Sequence, residues 1–442
     1  MFKKFLVLIA ISGLLSVVNA AEVTDVASSF DYKNPFDFNF DIRYLSSHHF
    51  GSIKREYNTM MDGAYADANG NLYYATSNRK VESKEYKGNP HLIYLQKIVL
   101  DAEIGLYHNL SLSFQLPVII SEQYKMIVHN ASSNPGTSSL AGQQLFPWQG
   151  NLDYMHGKNL GDFSMGLQWA PFSEERKNHF MSWLLGINIT FPTAPVKTPA
   201  GMNKLVQLSG LRHVVPSGVT GKTGDGLFRF DFRTAVSKKY LISKASSAEP
   251  YFQFMLSLPV NSSKSIYSDP KEAVVFNIGS DFNLWENKKH GQRVRLRGDV
   301  EVYYTNKGNA YSAIADARAV SDENWVSDPG NLASGYDWIF PSADDKNRNI
   351  LPIEDPWVQI SGMLKLSVKV CKYIELAGFA KFGYRHKHYL TNATPGKAGY
   401  IDGLDSEKTP WLGDGTKGRL GGRLLAEQYF VLDWGFNLKL LF

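Results

Sequence analysis

Along most of this chain apolar and polar residues alternate one by one. That period belongs to strands, whose successive side chains point to opposite faces. The first clear stretch sets Phe36, Phe38, Phe40, Ile42 and Tyr44 against Asp37, Asn39, Asp41 and Arg43. Ile98, Leu100, Ala102, Ile104 and Leu106 repeat the pattern. A tight Tyr107-His108-Asn109 turn then leads into Leu110, Leu112, Phe114, Leu116, Val118 and Ile120. Further alternating runs start at Phe163, Trp183, Phe228, Phe252, Val274, Val358 and Leu376.

The run from Arg293 to Tyr304 is the most constraining. Val294, Leu296, Val300, Val302 and Tyr304 form one face, and Arg293, Arg295, Arg297, Asp299 and Glu301 the other. A slip of one residue would turn every charge outward. In a bilayer each cation at the midplane would then cost roughly 2–4 kcal/mol, so the register is fixed. The chain ends with Phe430, Leu432, Trp434, Phe436, Leu438, Leu440 and Phe442 on one face. Val431, Asp433, Gly435, Asn437 and Lys439 occupy the other. A soluble sandwich could end in a strand, but soluble strands run about five or six residues. The long form resembles the assembly signal of outer-membrane barrels, with Phe436, Leu438, Leu440 and Phe442 as the handle for the barrel-assembly machinery.

The fold expected is therefore all-β, an antiparallel transmembrane β-barrel over residues 36–442. Thirteen segments can be counted, and bacterial barrels of one chain have an even number of strands. Fourteen strands is the first choice and twelve the second, with a strand expected between Leu390 and Leu425. Connections near Tyr107–Asn109, Ser173–Asn178, Ile242–Ala248, Glu286–Gly291 and Cys371–Tyr373 are short, as periplasmic turns are. Those at 127–157, 193–225, 305–356 and 390–416 are long, as extracellular loops are. On this count Phe442 would finish on the outer side.

The amino terminus reads as targeting. Lys3 and Lys4 precede an apolar run from Phe5 to Val18, and Val18-Asn19-Ala20 suits a signal peptidase. Residues 1–20 are expected to be a cleaved signal peptide, residues 21–35 a short periplasmic segment, and the destination a Gram-negative outer membrane. No later stretch of about twenty apolar residues could form a spanning helix. No Cys follows the apolar run to take a lipid.

Composition changes this picture little. A mean hydropathy of −0.25 with 43% apolar residues would suit a soluble protein, but alternation hides barrel strands from averaged hydropathy. The aromatic share of 13% is what a barrel needs at its rims. One cysteine, Cys371, excludes a disulfide framework. A net charge of +5 with no basic run points to no nucleic acid.

Inward faces carry the chemistry. Arg229, Asp231 and Arg233 lie on one strand, and Arg293, Arg295, Arg297, Asp299 and Glu301 on another. Lys365 and Lys369, Lys381, Arg385 and Lys387, then Arg419 and Arg423 follow. Acids gather elsewhere, at Asp37, Asp41, Asp101 and Glu103. This arrangement is either a transverse field favouring anionic solutes or a ladder of ion pairs filling the barrel.

Other candidates fall short. Asp67 to Asn71 looks like a calcium loop, but Asn78 stands where a bidentate Glu would close it, and Asn69-Gly70 reads as a hairpin tip. Adjacent histidines on a strand would point to opposite faces and share no metal, so His48 and His49 read as solvated loop residues. The 11 histidines form no constellation by spacing, so no catalytic, cofactor or metal residues are expected. His386 and His388 beside Arg385 and Lys387 suggest lipopolysaccharide phosphates as a partner. Loop aromatics Trp325, Tyr336, Trp338 and Trp411 could turn inward or outward.

Leu160-Gly161-Asp162-Phe163-Ser164-Met165-Gly166-Leu167 resembles the meta-pathway phenol-degradation family of outer-membrane proteins. That family shows a Gly-Asp strand start and a following strand ending near Pro-Thr-Gly; here the latter reads Phe191-Pro192-Thr193-Ala194. Gly105-Leu106, Asn109-Leu110 and Leu116-Pro117 match its preceding hairpin, so the resemblance spans about residues 100 to 195. It implies an architecture related to the long-chain fatty-acid channels and uptake of hydrophobic or aromatic compounds. The function expected is passive passage of small organic or anionic solutes, with outer-membrane lipid, lipopolysaccharide and small solutes as partners. The alternative is a non-conducting barrel with adhesive or structural loops.

Overall fold

A computed structural model describes residues 21–29, 37–58, 64–66, 72–74, 83–85, 89–128, 150–155, 158–174, 181–197, 205–208, 211–214, 221–243, 245–265, 267, 269–287, 289–309, 353–391 and 424–442. Twelve strands form a closed antiparallel wall. They are β1 (Phe38–Asn58), β2 (Asn89–Tyr107), β3 (Leu110–Val128), β4 (Phe163–Phe172), β5 (Ser182–Phe191) and β6 (Leu227–Ser237). The ring continues with β7 (Ser247–Asn261), β8 (Ala273–Asn287), β9 (Gln292–Thr305), β10 (Trp357–Cys371), β11 (Ile374–Arg385) and β12 (Leu424–Leu441). Each pairs with its sequence neighbour, and β1 closes on β12 from Asn39↔Leu441 to Arg55↔Leu424. Closure leaves no open sheet edge in the wall.

The count is the second of the two expected. A strand between Leu390 and Leu425 has no place in the wall, because β11 pairs directly with β12 from Ile374↔Leu440 to Arg385↔Tyr429. With twelve strands the chain returns to the rim it started from. Phe442 N–H donates to the Phe38 carbonyl at 2.9 Å, and Leu441 N–H to Tyr373 in the β10–β11 turn at 2.9 Å. Phe442 therefore ends on the short-turn rim, not the opposite one. The missed connection was 262–272, between β7 and β8, which belongs to the long-loop rim.

The expected register holds throughout the exterior. Ile278, Leu364, Phe382 and Phe436 are between 61% and 65% exposed, and they share their faces with Phe282, Leu366 and Leu376. Aromatics mark both ends. Phe163, Phe191 and Phe228 lie in a row near the long-loop rim with ring centroids 6.2 Å apart. Phe172 stacks on Trp183 at 5.9 Å, and Phe38 meets Phe442 at 5.8 Å, near the other rim. Among the described residues there is no helix long and apolar enough to cross a membrane. At the β2–β3 turn Asn109 adopts φ +52°, which Asn tolerates better than most residues.

The Asn69-Gly70 hairpin tip lies outside the described residues, although the strands on either side, Ala64–Ala66 and Leu72–Tyr74, pair with each other. Trp325, Tyr336, Trp338, Trp411, Arg419 and Arg423 lie outside them too.

Candidate functional site: the barrel lumen

Residues 21–35 were expected to be a short periplasmic segment. The described part of it, residues 21–29, lies inside the barrel instead, in its short-turn half. Ala21, Val23, Thr24, Ala27 and Ser29 are each at most 2% exposed. The segment opens with a tight turn, Thr24 N–H donating to the Ala21 carbonyl at 2.9 Å. Ala21 and Val23 pack against Tyr251. A segment so short can bury its backbone only if the wall supplies the missing hydrogen bonds. It does so strand by strand. Glu249 on β7 accepts from Ala21 N–H, and Asp281 on β8 from Glu22 N–H at 2.9 Å. Arg233 on β6 donates to the Val23 carbonyl at 2.9 Å, and Glu103 on β2 accepts from Ala27 N–H at 3.1 Å. Thr24 shares a hydroxyl contact with Ser237 at 2.8 Å.

Gly105 makes the approach possible. A Cβ there would lie 2.7 Å from Ser29 Oγ and 2.8 Å from its backbone nitrogen. Ser28 accepts from Asn109 N–H at 3.1 Å, which ties the segment to the β2–β3 turn.

Glu22 is the charged centre of the segment. It pairs with Lys365 on β10 and, at 3.9 Å, with Arg297 on β9. Burial alone would raise its pKa, but Lys365, Arg297 and Arg295 hold the carboxyl well below the ordinary carboxylate range.

The expected basic wall is present and largely neutralised. Arg293 pairs with Glu375 at 3.3 Å and Arg295 with Asp281 at 3.6 Å. Arg297 donates to Asp299 at 3.0 Å and to Tyr251 Oη at 2.7 Å, while Tyr251 donates to Asp299 at 2.6 Å. Gly279 leaves room for this group, since its Cβ would meet Tyr251 Oη at 2.7 Å. Lys381 pairs with Glu301 at 2.6 Å, and Arg229 grips Asp225 with two hydrogen bonds. Lys369 sits in register between Arg293 and Glu375. Arg229 and Arg233 on β6 are separated from β9 by β7 and β8, so the wall is contiguous only over β9, β10 and β11.

Arg385 belongs to a different cluster, toward the long-loop rim. Its guanidinium lies 3.9 Å over the Trp357 ring and 5.4 Å from Tyr429. Trp357 stacks on Tyr303 at 5.3 Å and donates to Glu354, which also pairs with Lys271 at 2.8 Å. His388 is buried 5.8 Å from Trp357. Burial lowers its imidazole pKa from the ordinary value, and the ring is shut off from any surface phosphate. Of the expected lipopolysaccharide contacts only His386 and Lys387 are exposed. His48 and His49 lie on wall strand β1, paired with β2 and β12, and not on the solvated loop expected; His49 hydrogen-bonds Ser47, whose hydroxyl donates inward to Asp433, while His48 meets Phe50 and Tyr94.

Open space remains on the opposite side of the segment. A cavity of about 380 Å³ is lined by β1 to β7, by Lys439 on β12 and by Glu22 and Asp25. Six carboxylates face it (Glu22, Asp25, Asp41, Asp101, Glu103, Asp231) against three bases, Arg43, Arg233 and Lys439. Asn39 Oδ1, Asp41 Oδ1 and Arg43 Nε at this wall are buried with no partner among the described residues. Such atoms are completed by water or by a polar solute. Among the described residues no three His, Cys, Asp or Glu side chains are grouped to hold a metal.

The lumen residues on β6 and β9 to β11 were legible from alternation. Glu249, Tyr251 and Asp281 were not singled out, and residues 21–29 were misplaced. One signal could have found the segment: the inward faces of β9 and β10 carry more bases than acids, which calls for an acid from outside the wall.

No family model matches the chain, and no curated protein matches it. Among solved structures, an outer-membrane channel from Pseudomonas putida F1 is similar at 9% identity and TM-score 0.37, covering 96% of this chain and 100% of that one. A FadL homologue from Pseudomonas aeruginosa shows 10% identity and TM-score 0.31 over 90% of each chain. The outer-membrane protease OmpT from Escherichia coli shows 8% identity and TM-score 0.26 over 92% of this chain and 98% of that one. These similarities add no argument to the geometry described above.

Proposed function

We propose that this chain is an outer-membrane channel for small polar organic solutes, narrowed from the short-turn side by its own residues 21–29. The observation that carries the reading is the cavity of about 380 Å³ left beside that segment inside a closed wall. The exposed apolar faces of β8 to β12 support placement in a bilayer, because a continuous band of that kind is stable in hydrocarbon. Export by a signal peptide cleaved after Ala20, with the short turns in the periplasm, completes the proposal.

The charge of the passage favours neutral and cationic solutes over anions. An anion bias would need free bases, but Arg293, Arg295, Arg297, Lys365 and Lys381 are each ion-paired. The carboxylates at the cavity outnumber its bases by six to three. Local field, more than net charge, sets which ions enter a narrow pore.

The test is single-channel recording in planar bilayers with a salt gradient, followed by liposome swelling with neutral, cationic and anionic sugars of one size. Cation-biased reversal and faster swelling with neutral and cationic solutes are expected. Absence of any conductance would leave the second reading, a structural barrel, which the dense ion pairing of β9 to β11 favours.

A further inference from the structure

Glu249 is a buried carboxylate with no ion pair among the described residues. It is 5% exposed, on β7, and stands directly opposite Asp281 of β8, itself 3% exposed. Two like charges opposed in a ladder destabilise it unless each is compensated. Asp281 has Arg295 at 3.6 Å and Arg297 at 4.0 Å. Glu249 makes no ion pair with any described residue. It accepts instead from Ser237 Oγ at 2.9 Å and from the backbone nitrogen of Ala21.

We propose that Glu249 is a receptor for the amino terminus of the mature chain, the α-ammonium of Ala21. The inference rests on the cleavage after Ala20 included in the proposed function, but not on conduction. An export-linked endopeptidase would hydrolyse the Ala20–Ala21 bond. Water gives its hydroxyl to the Ala20 carbonyl, and the nitrogen of Ala21 takes up protons to become an ammonium. The atom that now donates one hydrogen bond to Glu249 then carries a full positive charge and three donors. Charge-assisted bonds between such groups are about twice as strong as neutral ones.

The site has the other parts such a receptor needs. The Ala21 side chain is 0% exposed against Tyr251 and Val23, so the first residue has a fitted pocket. The next nitrogen, Glu22 N–H, is taken by Asp281 at 2.9 Å, which fixes the direction of the chain. Ser237 Oγ touches both Glu249 and Thr24 Oγ1, at 2.9 and 2.8 Å, and orients the carboxylate. Export processing would thus turn a contact that the Ala21 amide already makes into a charge-assisted one. A chain still carrying residues before Ala21 would present an uncharged amide to a buried carboxylate.

The test reads the chemical accessibility of the terminal amine. The mature protein, produced by secretion and reconstituted in liposomes, is treated at neutral pH with an aldehyde reagent selective for α-amines. Labelling at Ala21 is followed by mass spectrometry. A docked amine reacts only through local opening, so labelling should be slower by about tenfold or more than in the same protein unfolded in denaturant. Glu249→Gln should bring the folded rate close to the unfolded one. Should that variant assemble poorly, a single Gly inserted before Ala21 displaces the amine and should have the same effect with the barrel's heat-modifiable migration unchanged. Rapid labelling of the folded wild type, or a mature chain that begins at another residue, would overturn the proposal. Neither outcome depends on whether the barrel conducts, so loss of conductance alone would strike the channel reading and leave this one standing.

Discussion

Asp41 on β1 lies directly opposite Asp101 on β2, both line the open cavity, and Arg43 beside them donates to Asp101 at 2.6 Å. Opposed like charges persist in a wall when a function or a counter-charge retains them. Here they give the passage its sign.

Neutralising them should change selectivity without changing the fold. Asp41→Asn with Asp101→Asn is expected to lower the cation-to-anion permeability ratio several-fold. Two charges at 4 Å interact by about 1 kcal/mol in water and more near protein, which corresponds to factors of about five and above. Reversal potentials under a salt gradient measure this. An unchanged ratio would mean that the ions pass elsewhere.

Removing the segment should widen the pore. Deletion of residues 21–29, or Gly105→Val, which places a branched side chain where Ser29 now sits, should raise unitary conductance by a factor of two or more. Planar-bilayer records at matched salt decide it. Conductance equal to wild type in both variants would remove the segment from the permeation path.

Arg297→Ser should act as an unlocking substitution, not as a selectivity substitution. Arg297 holds Asp299, Tyr251 and Glu22 together. Breaking a buried pair on one side costs about 3–5 kcal/mol. The expected result is a lower midpoint in denaturant titration of the detergent-solubilised protein, with raised conductance. A changed ion preference at constant stability would restore the free-base view of this wall.

The Glu22 pairing predicts a pH response with a defined sign. Its folded pKa is depressed, so the stabilisation it adds is present above the unfolded carboxylate value near about 4.3. That stabilisation is lost only as pH falls below the unfolded value and on through the depressed one. Wild-type conductance should therefore stay level from pH 7 to pH 5. Glu22→Gln should already show the wider state at pH 7. A wild-type opening between pH 7 and 5 would show that another group controls the segment.

Residues on the outer band should tolerate no charge. Leu364 is 63% exposed on β10, and Leu364→Arg should cost about 2–4 kcal/mol where the band is deepest. Heat-modifiable gel migration of the folded barrel measures the effect on assembly.

The sequence by itself determined the wall. Alternation assigns a face to each residue locally, so twelve of the segments, the register of Arg293 to Tyr304 and the outward face of the last strand could be read without coordinates. It did not determine the strand count, because the tally depends on which connections cross a rim. An odd tally of thirteen put Phe442 on the far rim, and twelve strands return it to the short-turn rim. Only the tertiary structure decided what fills the barrel. Residues 21–29 have no period and no apolar stripe; four of their backbone groups are satisfied by four different strands: Glu103 on β2, Arg233 on β6, Glu249 on β7 and Asp281 on β8. Those partners come together only when the ring closes. For the same reason the inward charges could be listed from the sequence but their pairing could not, because an ion pair depends on distances across the lumen that no local pattern encodes.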